Sequence, residues 1–434
     1  MSDTTVPAKA DVVVIGGGII GASTALELAE RGVSVALCEK GAVAGEQSSR
    51  NWGWVRKMGR DPRELPLIVE SLRLWEGLDA RIGGESGFRR SGILYTCDDA
   101  EEVARYEAWA EHARLFQIDS RMLAPDETAA LLPGMRTRFA GGLYTASDGR
   151  AEPQKAAPAI ATAAQRLGAV VLENCAVRGI ERAAGKVAGV VTERGPIACA
   201  SVVLAGGAWS NLFCGNLGID LPQLKVKNSV LRTEPIDAGL PQVAMSAGNY
   251  AFRKRLDGGY TIADGEANDV DIVPDSFRYL GKFLPALRGQ RNSLHLHFGG
   301  AFFSEWKTPR RWSLDEVTPF ERTRILDPAP NVKSTETALR RLAEALPGFA
   351  AAKVAQHWAG MIDVTPDAVP VISPVDALPG FFIATGFSGH GFGIGPGAGR
   401  LAADLVTGAR PVVDPRDFRF GRFSDGSRIG LGGL

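Results

Sequence analysis

Glycine spacing near the start of the chain matches the turn that holds the pyrophosphate of a dinucleotide. The run Gly16-Gly17-Gly18-Ile19-Ile20-Gly21 is G-x-G-x-x-G, between an apolar stretch and a helical pattern. Gly16 permits a tight turn, Gly18 lets the backbone approach the phosphates, and Gly21 lets the helix pack closely on the strand. Glu39, 18 positions after Gly21, can accept hydrogen bonds from ribose hydroxyls. The pattern predicts FAD or NAD and disfavours NADP, whose extra phosphate Glu39 would repel.

A parallel sheet with covering helices is needed to position these residues. Residues 11–15 and 33–38 form predicted strands around a helix at 21–31, which is a βαβ unit. Further helices are predicted at residues 66–78, 100–116, 153–167, 334–346 and 397–407, and further strands at 92–96, 142–145, 225–234, 250–255, 260–264 and 293–298. The length of 434 residues exceeds the roughly 250–300 at which a single core stops growing. We therefore predict an α/β fold with two domains.

The charge balance limits the class of partner. Lys and Arg together number 49, as do Asp and Glu, which removes the positive field that nucleic-acid binding normally needs. Five widely spaced cysteines without a C-x-x-C pair predict no disulfide framework and fit the cytoplasm. His295 and His297 share a strand face without a cysteine or a clear carboxylate partner, so we predict no metal site. We expect a small-molecule partner, no signal peptide and no integral membrane segment.

Three further stretches carry a family resemblance. The first is Gly45-Glu46-Gln47-Ser48-Ser49-Arg50-Asn51-Trp52-Gly53-Trp54. The second is Ser147-Asp148-Gly149-Arg150-Ala151-Glu152-Pro153, followed by Val177 and by Leu204-Ala205-Gly206-Gly207-Ala208-Trp209-Ser210. The third is Trp358-Ala359-Gly360-Met361-Ile362-Asp363-Val364-Thr365-Pro366-Asp367, then Ala384-Thr385-Gly386-Phe387-Ser388-Gly389-His390-Gly391-Phe392-Gly393-Ile394-Gly395-Pro396-Gly397. With the glycine fingerprint, they resemble the FAD-dependent DAO-type oxidoreductases, which include D-amino-acid oxidase, glycine oxidase and sarcosine oxidase, over nearly the whole chain.

The resemblance implies FAD as the cofactor and a Rossmann-like FAD-binding domain (residues 1–88, 150–220 and 345–423). An interleaved antiparallel-sheet substrate domain (89–149 and 221–344) and a flexible tail (424–434) would complete the chain. Sarcosine oxidases bind flavin covalently through a cysteine where this chain has Gly360, so non-covalent FAD is expected. The implied FAD contacts are Gly16, Gly18, Ile19, Ile20, Gly21, Glu39, Lys40, Gln47, Ser48, Ser49, Arg50, Asn51, Trp52, Gly53, Val177, Gly206, Gly207, Trp209, Gly360, Gly389, His390, Gly391, Phe392, Gly393 and Ile394.

On the substrate side the chain departs from the family pattern. Glycine oxidases place a carboxylate-binding arginine where this chain has Ile362, and sarcosine oxidases place a lysine where it has Gly393. An anchor must then come from elsewhere, with Arg253 as the first candidate and Arg90 and Lys307 as weaker ones. His390 would contact the flavin edge or tune the local charge, or else pack beside the glycine-rich turn. The expected substrate-site residues are Arg253, Tyr250, His390 and Trp52.

The resemblance implies an enzyme that oxidises a carbon–nitrogen bond of a small amine or amino acid. Hydride would pass from the α carbon to the flavin and leave an imine, with O₂ or a quinone as the electron acceptor. The runs around Trp52 and Ile362 most resemble bacterial members that act on L-amino acids or on cyclic imino acids such as L-pipecolate. Oxidation of a 2-hydroxy acid or of a D-amino acid is the alternative. An FAD-binding RNA-modification module and a flavin-binding protein without turnover are rivals of other classes.

Overall fold

The structure is a computed structural model that describes residues 2–265, 267–290 and 293–433. Its strands are β1 (Val12–Ile15), β2 (Val35–Cys38), β3 (Trp54–Val55), β4 (Arg89–Arg90), β5 (Ile93–Cys97), β6 (Ser120–Leu123), β7 (Gly141–Thr145), β8 (Gly149–Arg150), β9 (Val170–Leu172), β10 (Val177–Ala183), β11 (Lys186–Thr192), β12 (Gly195–Ala198), β13 (Ser201–Leu204), β14 (Leu224–Thr233), β15 (Ala244–Ser246), β16 (Ala251–Lys254), β17 (Tyr260–Ala263), β18 (Asn268–Asp271), β19 (Leu294–His297), β20 (Val354–Val364), β21 (Val371–Pro374) and β22 (Phe381–Thr385). Its α-helices are α1 (Ile19–Glu30), α2 (Gln47–Arg50), α3 (Leu65–Glu76), α4 (Leu78–Ile82), α5 (Ala100–Leu115), α6 (Pro125–Leu131), α7 (Pro153–Arg166), α8 (Ser210–Leu217), α9 (Pro274–Arg278), α10 (Leu280–Gly289), α11 (Gly300–Lys307), α12 (Pro319–Arg322), α13 (Val332–Ala345) and α14 (Gly391–Thr407).

A six-stranded sheet holds the start of the chain, in the order β21-β22-β13-β1-β2-β9. Its central strand β1 pairs in parallel with β2 on one side and with β13 on the other. Val12 and Val14 pack into one hydrophobic core and Val13 into another, as side-chain alternation requires when both faces of a sheet are covered. Helices α7 and α14 pack against α1. The predicted βαβ unit and Rossmann-like sheet are confirmed.

The second large sheet runs in the order β19-β18-β14-β17-β16-β15-β5-β7-β6, and β20 pairs along β14. The pairings of β14 with β17 and β20, and of β5 with β7, are antiparallel, as predicted. The pairings of β15 with β5 and of β18 with β19 are parallel, so this sheet is mixed. Two small three-stranded sheets, β10-β11-β12 and β3-β8-β4, complete the fold.

The two faces of this second sheet have different neighbours. On one face, Leu231, Phe252 and Ile262 share a core with Leu342 of α13. Because directly paired residues point to the same side, the opposite face of β14 and β20 carries Val226, Asn228, Val230, Trp358, Gly360 and Ile362. Trp358 donates its indole N–H to the Arg50 carbonyl at 2.9 Å. This second face is therefore turned toward the loop that follows β2.

Two details of the predicted domain division need correction. Residues 345–423 were expected in the FAD-binding domain, yet Val354–Val364 is a strand of the second sheet. The tail was expected to be flexible, but the Gly430 carbonyl accepts a hydrogen bond from Arg63 at 2.9 Å and Ile429 packs on a core. Leu434 lies outside the described residues. The remaining domain boundaries stay a prediction.

Most predicted elements are confirmed with small shifts at their ends, for example Ala100–Leu115 and Pro153–Arg166. Helices α9, α10 and α11 were missed, and α14 begins at Gly391 instead of at residue 397. Gly395 packs against the Ile19 side chain and Gly399 against Ser23, so glycines that suggest a loop serve instead as contacts between α14 and α1. Within the described part of the chain, no helix is long and apolar enough to span a membrane.

Candidate cofactor and substrate site

A groove of about 1240 Å³, including its open mouth, runs from the β1–α1 turn to the start of α14. The predicted contact residues that line it are Gly16, Gly18, Ile19, Ile20, Glu39, Lys40, Gln47, Ser48, Asn51, Val177, Gly206, Gly207, Trp209, Gly389, Gly391 and Phe392. The groove thus brings together the glycine fingerprint and all three stretches of the resemblance. Lining residues that the sequence interpretation missed include Phe320, Arg324, Met361 and Asp363.

Other predicted contacts do not line this groove, namely Gly21, Ser49, Arg50, Trp52, Gly53, Gly360, His390, Gly393 and Ile394. Some of them serve packing within the protein. Ile394 is fully buried in the core, and the Gly393 carbonyl accepts hydrogen bonds from Ser71 at 2.8 Å and Trp75 at 2.9 Å. Cofactor contact by this second set remains a prediction.

The β1–α1 turn has the geometry that the glycine spacing predicts. Gly16 has φ +105°, and a Cβ there would overlap the Ala205 carbonyl oxygen. A Cβ on Gly18 would lie 2.9 Å from the Ser48 hydroxyl oxygen, which itself accepts a hydrogen bond from the Ile19 N–H at 2.8 Å. The turn therefore presents bare backbone and the positive end of α1 to the groove, which suits a pyrophosphate.

Glu39 lies where a ribose partner is expected. Its two carboxylate oxygens accept hydrogen bonds from the Gly17 N–H at 2.7 Å and the Gly41 N–H at 2.8 Å. Burial raises the pKa of the carboxyl, and the two backbone donors act in the opposite direction. A carboxylate has about four lone-pair sites, so Glu39 can still accept from sugar hydroxyls.

Glu39→Ala is expected to weaken FAD binding by about 10- to 100-fold, because charged hydrogen bonds to the ribose are lost and two backbone donors lose their acceptor. The dissociation constant can be measured by quenching of flavin fluorescence when apoprotein is added. Glu107→Ala, at an exposed position on α5, is the matched control and should bind FAD as the wild type does. Equal affinities for the two variants would contradict the assignment of Glu39 to the ribose.

Gln47 provides a test of fit for a flavin ring. Its buried side-chain oxygen has no hydrogen-bond partner among the described residues, and it lies where a Cβ on Gly360 would be. An unpaired buried acceptor is costly, and a flavin ring carries an N–H group that can satisfy it. The groove continues past Gln47 to Gly389 and Gly391 at the N-terminus of α14, whose positive end favours negative charge on a reduced ring. The residues present therefore fit FAD.

Residues 11–405 match the family described as FAD dependent oxidoreductase. The chain belongs to this family. FAD is the cofactor, and the protein is an oxidoreductase.

Three relatives illustrate how much of this enzyme the similarity covers. The solved structure of L-amino acid deaminase from Proteus myxofaciens, in complex with anthranilate, is 36% identical with a TM-score of 0.94, covering 98% of this chain and 96% of the other. L-proline dehydrogenase from P. horikoshii is 25% identical with a TM-score of 0.79, covering 97% and 100%. Glycine oxidase from Pseudomonas putida is 27% identical over 419 residues, covering 94% and 97%.

The expectation that Arg253 anchors a substrate carboxylate needs correction. Its guanidinium is 1% exposed and donates to both carboxylate oxygens of Glu152, at 3.0 and 3.1 Å, and to the Trp52 carbonyl at 2.5 Å. Burial lowers the pKa of Arg253, and the Glu152 charge opposes that effect. A guanidinium already paired in this way serves to join the Trp52 loop to β16. Gly53 permits the approach, since a Cβ there would lie 2.5 Å from the Arg253 Nε atom.

Three other candidates for the substrate site also lie elsewhere. Tyr250 is 5% exposed in the core on the α13 face of the second sheet, with its hydroxyl 3.9 Å from the Met135 sulfur. Arg90 is exposed and pairs with Glu76, and Lys307 is exposed at the end of α11. Their placement gives none of them a contact with the groove.

His390 directly precedes α14 and pairs with Glu64, with 2.9 Å between its Nδ1 atom and the carboxylate. Burial lowers the pKa of the imidazole, nearby Arg60 lowers it further, and Glu64 raises it. The neighbouring residues Gly389 and Gly391 line the groove, so contact of His390 with the flavin edge stays a prediction.

Trp52 belongs to an aromatic cluster formed by Trp52, Trp54 and Tyr95. The ring centroids of Trp52 and Trp54 lie 5.2 Å apart, and those of Trp54 and Tyr95 lie 6.1 Å apart. Trp52 also donates its indole N–H to Asn228 at 3.0 Å, which joins the cluster to the second sheet. The sequence places Trp52 and Trp54 close together, whereas nothing local in it could have pointed to Tyr95 or Asn228.

Proposed function

We propose that this enzyme oxidises the carbon–nitrogen bond of an amino acid or a cyclic imino acid, with L-amino acids and compounds like L-pipecolate as the favoured class. The names of the three relatives, a glycine oxidase, an L-amino acid deaminase and an L-proline dehydrogenase, support this class. Bound FAD would supply the two-electron acceptor for hydride lost from the α carbon of the substrate, which would become an imine. The chain's own residues then have to orient the substrate and exclude water.

The observation that carries this proposal is the neutrality of the sheet face beside the groove. Gly360 lies against Gln47, and a Cβ on Gly389 would lie 3.8 Å from Ile362, so this face meets the groove at its α14 end. The other side chains of this face near the groove are Leu224, Val226, Asn228, Val230, Trp358 and Val364, and none of these is an acid or a base. The base Arg232 lies on the same face, at the end of β14 away from α14. Asp363 lines the groove from the opposite face of β20, where it accepts hydrogen bonds from the Gly386 N–H at 2.7 Å and the Thr385 hydroxyl at 3.1 Å. A neutral amine needs no base on this face, because its lone pair assists loss of the α hydrogen as hydride.

Oxidation of a 2-hydroxy acid is the second candidate, since it benefits from a base that accepts the hydroxyl proton. The His390–Glu64 pair is the observation that favours it, because a carboxylate at 2.9 Å can orient an imidazole for that role. The lowered pKa of His390 would keep the ring neutral and able to accept a proton near neutral pH.

The test is an anaerobic titration of the purified holoenzyme with L- and D-amino acids, L-pipecolate, L-proline, sarcosine and 2-hydroxy acids, followed by loss of flavin absorbance. We expect bleaching by amino or imino acids and little by hydroxy acids. Bleaching by hydroxy acids alone would favour the second candidate, and no bleaching by any compound would contradict both. Reoxidation by O₂ or by a water-soluble quinone then identifies the class of electron acceptor.

A further inference from the structure

A half-buried arginine beside the aromatic cluster has the properties that were expected of Arg253. We propose that Arg56, assisted by the indole N–H of Trp54, binds the carboxylate of the substrate. This inference rests on the proposed function, because it assumes that the substrate carries a carboxylate next to the carbon that is oxidised.

The position of Arg56 follows from the chain that leaves the groove. Asn51 lines the groove, and the chain then forms β3, which pairs with β8. Trp54 in β3 and Arg56 directly after β3 both approach Tyr95, and Trp52 packs on Trp54. The Arg56 guanidinium carbon lies 5.4 Å from the ring centroid of Tyr95, on the strand β5 of the second sheet. Arg56 does not line the groove itself, but its backbone N would lie 3.5 Å from a Cβ on Gly393, in the first turn of α14, where Gly391 and Phe392 do line the groove.

Arg56 forms no ion pair with a carboxylate of the described residues, although Asp148 is near enough for the two charges to interact. Among the residues that the structure describes, no acidic side chain lies within ion-pair distance of it, and its one hydrogen bond goes to the Met58 carbonyl. Other arginines of the predicted FAD-binding domain form ion pairs, namely Arg50 with Asp327, Arg63 with Asp61, and Arg422 with Asp367. The carboxylate of Asp148 accepts hydrogen bonds from the backbone N–H groups of Lys57 and Met58. Burial raises the pKa of Asp148, and Arg56 lowers it slightly. Donors of Arg56 therefore remain available for a ligand.

Two buried donors close to Arg56 also have no acceptor in the described part of the chain. They are the indole Nε1 of Trp54, which is 8% exposed, and the Nη1 atom of Arg60, which is 2% exposed. Arg60 is held next to Arg56, because its Nε atom donates to the Arg56 carbonyl at 3.2 Å. Burial, with repulsion from Arg56, lowers the pKa of Arg60 to about 9. A carboxylate has two acceptor oxygens and a negative charge. It can therefore accept hydrogen bonds from the unpaired donors and reduce the repulsion between the two adjacent arginines.

A purely structural role for Arg56 would be stacking on Tyr95, which requires no ligand. The two roles predict different ligand dependence. If Arg56 only stacks on Tyr95, removing it should change the affinities for charged and uncharged ligands equally. If Arg56 is an anchor, removing it should weaken binding of a carboxylate more than binding of an uncharged group of the same shape. Benzoate and benzamide form such a pair of probes.

The experiment titrates wild-type holoenzyme and its Arg56→Met, Arg56→Lys and Arg90→Met variants with benzoate and with benzamide, following the flavin absorption spectrum. Arg90 is the matched control, because it is an exposed arginine paired with Glu76 on the surface. We expect Arg56→Met to raise the dissociation constant for benzoate by about 10- to 100-fold and to leave that for benzamide unchanged. Arg56→Lys keeps the charge without the planar fork and should raise it about 3- to 10-fold.

Unchanged benzoate affinity in Arg56→Met with full FAD content would overturn the proposal, as would a wild-type flavin spectrum that no carboxylate perturbs. If Arg56→Met does not retain FAD, the Arg56→Lys variant decides, and a benzoate affinity equal to that of Arg90→Met would then count against the anchor. The benzoate result does not depend on turnover. A wild type that binds benzoate through Arg56 while no amino acid reduces its flavin would contradict the proposed function and leave the carboxylate site standing.

Discussion

Gly21→Ala is expected to yield protein that purifies with little FAD. A Cβ on Gly21 would overlap the Gly16 carbonyl oxygen and lie 3.3 Å from the Val14 side chain. The first turn of α1 would have to move away from β1, taking with it the N-terminus that faces the pyrophosphate. We expect FAD affinity to fall by about 10- to 100-fold, as overpacking of a rigid turn commonly costs 1–3 kcal/mol. The ratio of flavin to protein absorbance after purification, and an FAD titration of the apoprotein, measure it.

The matched control is Gly281→Ala, which makes the same change in helix α10. A Cβ there would have no atom within 4 Å, and the backbone is helical. Alanine is the better helix former by about 1 kcal/mol, so this variant should hold FAD fully and be as stable as the wild type or slightly more so. Full FAD content in Gly21→Ala as well would show that the β1–α1 turn does not depend on close helix–strand contact.

Glu152→Gln is expected to cost about 3–5 kcal/mol of unfolding free energy, because it leaves a buried arginine without its counter-charge. Glu152 is 4% exposed and accepts hydrogen bonds from Arg253 on both oxygens, from Arg150 at 3.2 Å and from the Leu256 N–H at 2.9 Å. Denaturant unfolding of the holoenzyme, monitored by fluorescence and by flavin release, measures the difference. Glu111→Gln removes an exposed ion pair with Arg114 and should change stability by less than about 1 kcal/mol.

The pH dependence of this difference gives a second measurement. Burial alone would raise the pKa of Glu152, but Arg253 outweighs it and holds the pKa below its ordinary value. A carboxyl whose pKa is lowered by folding contributes stability above its ordinary pKa, and this contribution is lost as pH falls through the folded pKa. The gap between wild type and Glu152→Gln should therefore be full at neutral pH and narrow below about pH 4. A gap that widens in acid would contradict the ion-pair explanation.

The cofactor half of the site was predictable because its signals are local. Gly16, Gly18 and Gly21 act within one turn, and Glu39 lies at the end of the adjacent strand, so spacing alone indicates what each residue faces. The third stretch was placed at the groove by resemblance, and Gly389 and Gly391 do line it. The start of α14 was misjudged because close contact between two helices requires the same residue, glycine, that usually marks a loop.

The substrate half was less predictable because charged side chains can be interpreted only with their partners. Arg253 follows the aromatic residues Tyr250 and Phe252, which is consistent with a binding site, yet Glu152, 101 positions earlier, neutralises it. Tyr250 was predicted on the same strand, but its side chain packs into the core shared with α13. Arg56 gave no signal of its own, since the absence of an ion pair is a property of its surroundings.

The sequence by itself determined the βαβ unit and a dinucleotide cofactor, since the glycine turn and Glu39 lie close together in the chain, and motifs spread over nearly the whole chain indicated the family and FAD. Only the tertiary structure shows that Arg253 is neutralised by Glu152 and that Arg56 keeps free donors. Only the tertiary structure shows that Val354–Val364 belongs to the second sheet. The physical reason is the range of the interactions. Backbone turns and strand alternation act over a few residues, whereas ion pairing and burial depend on residues that only folding brings together.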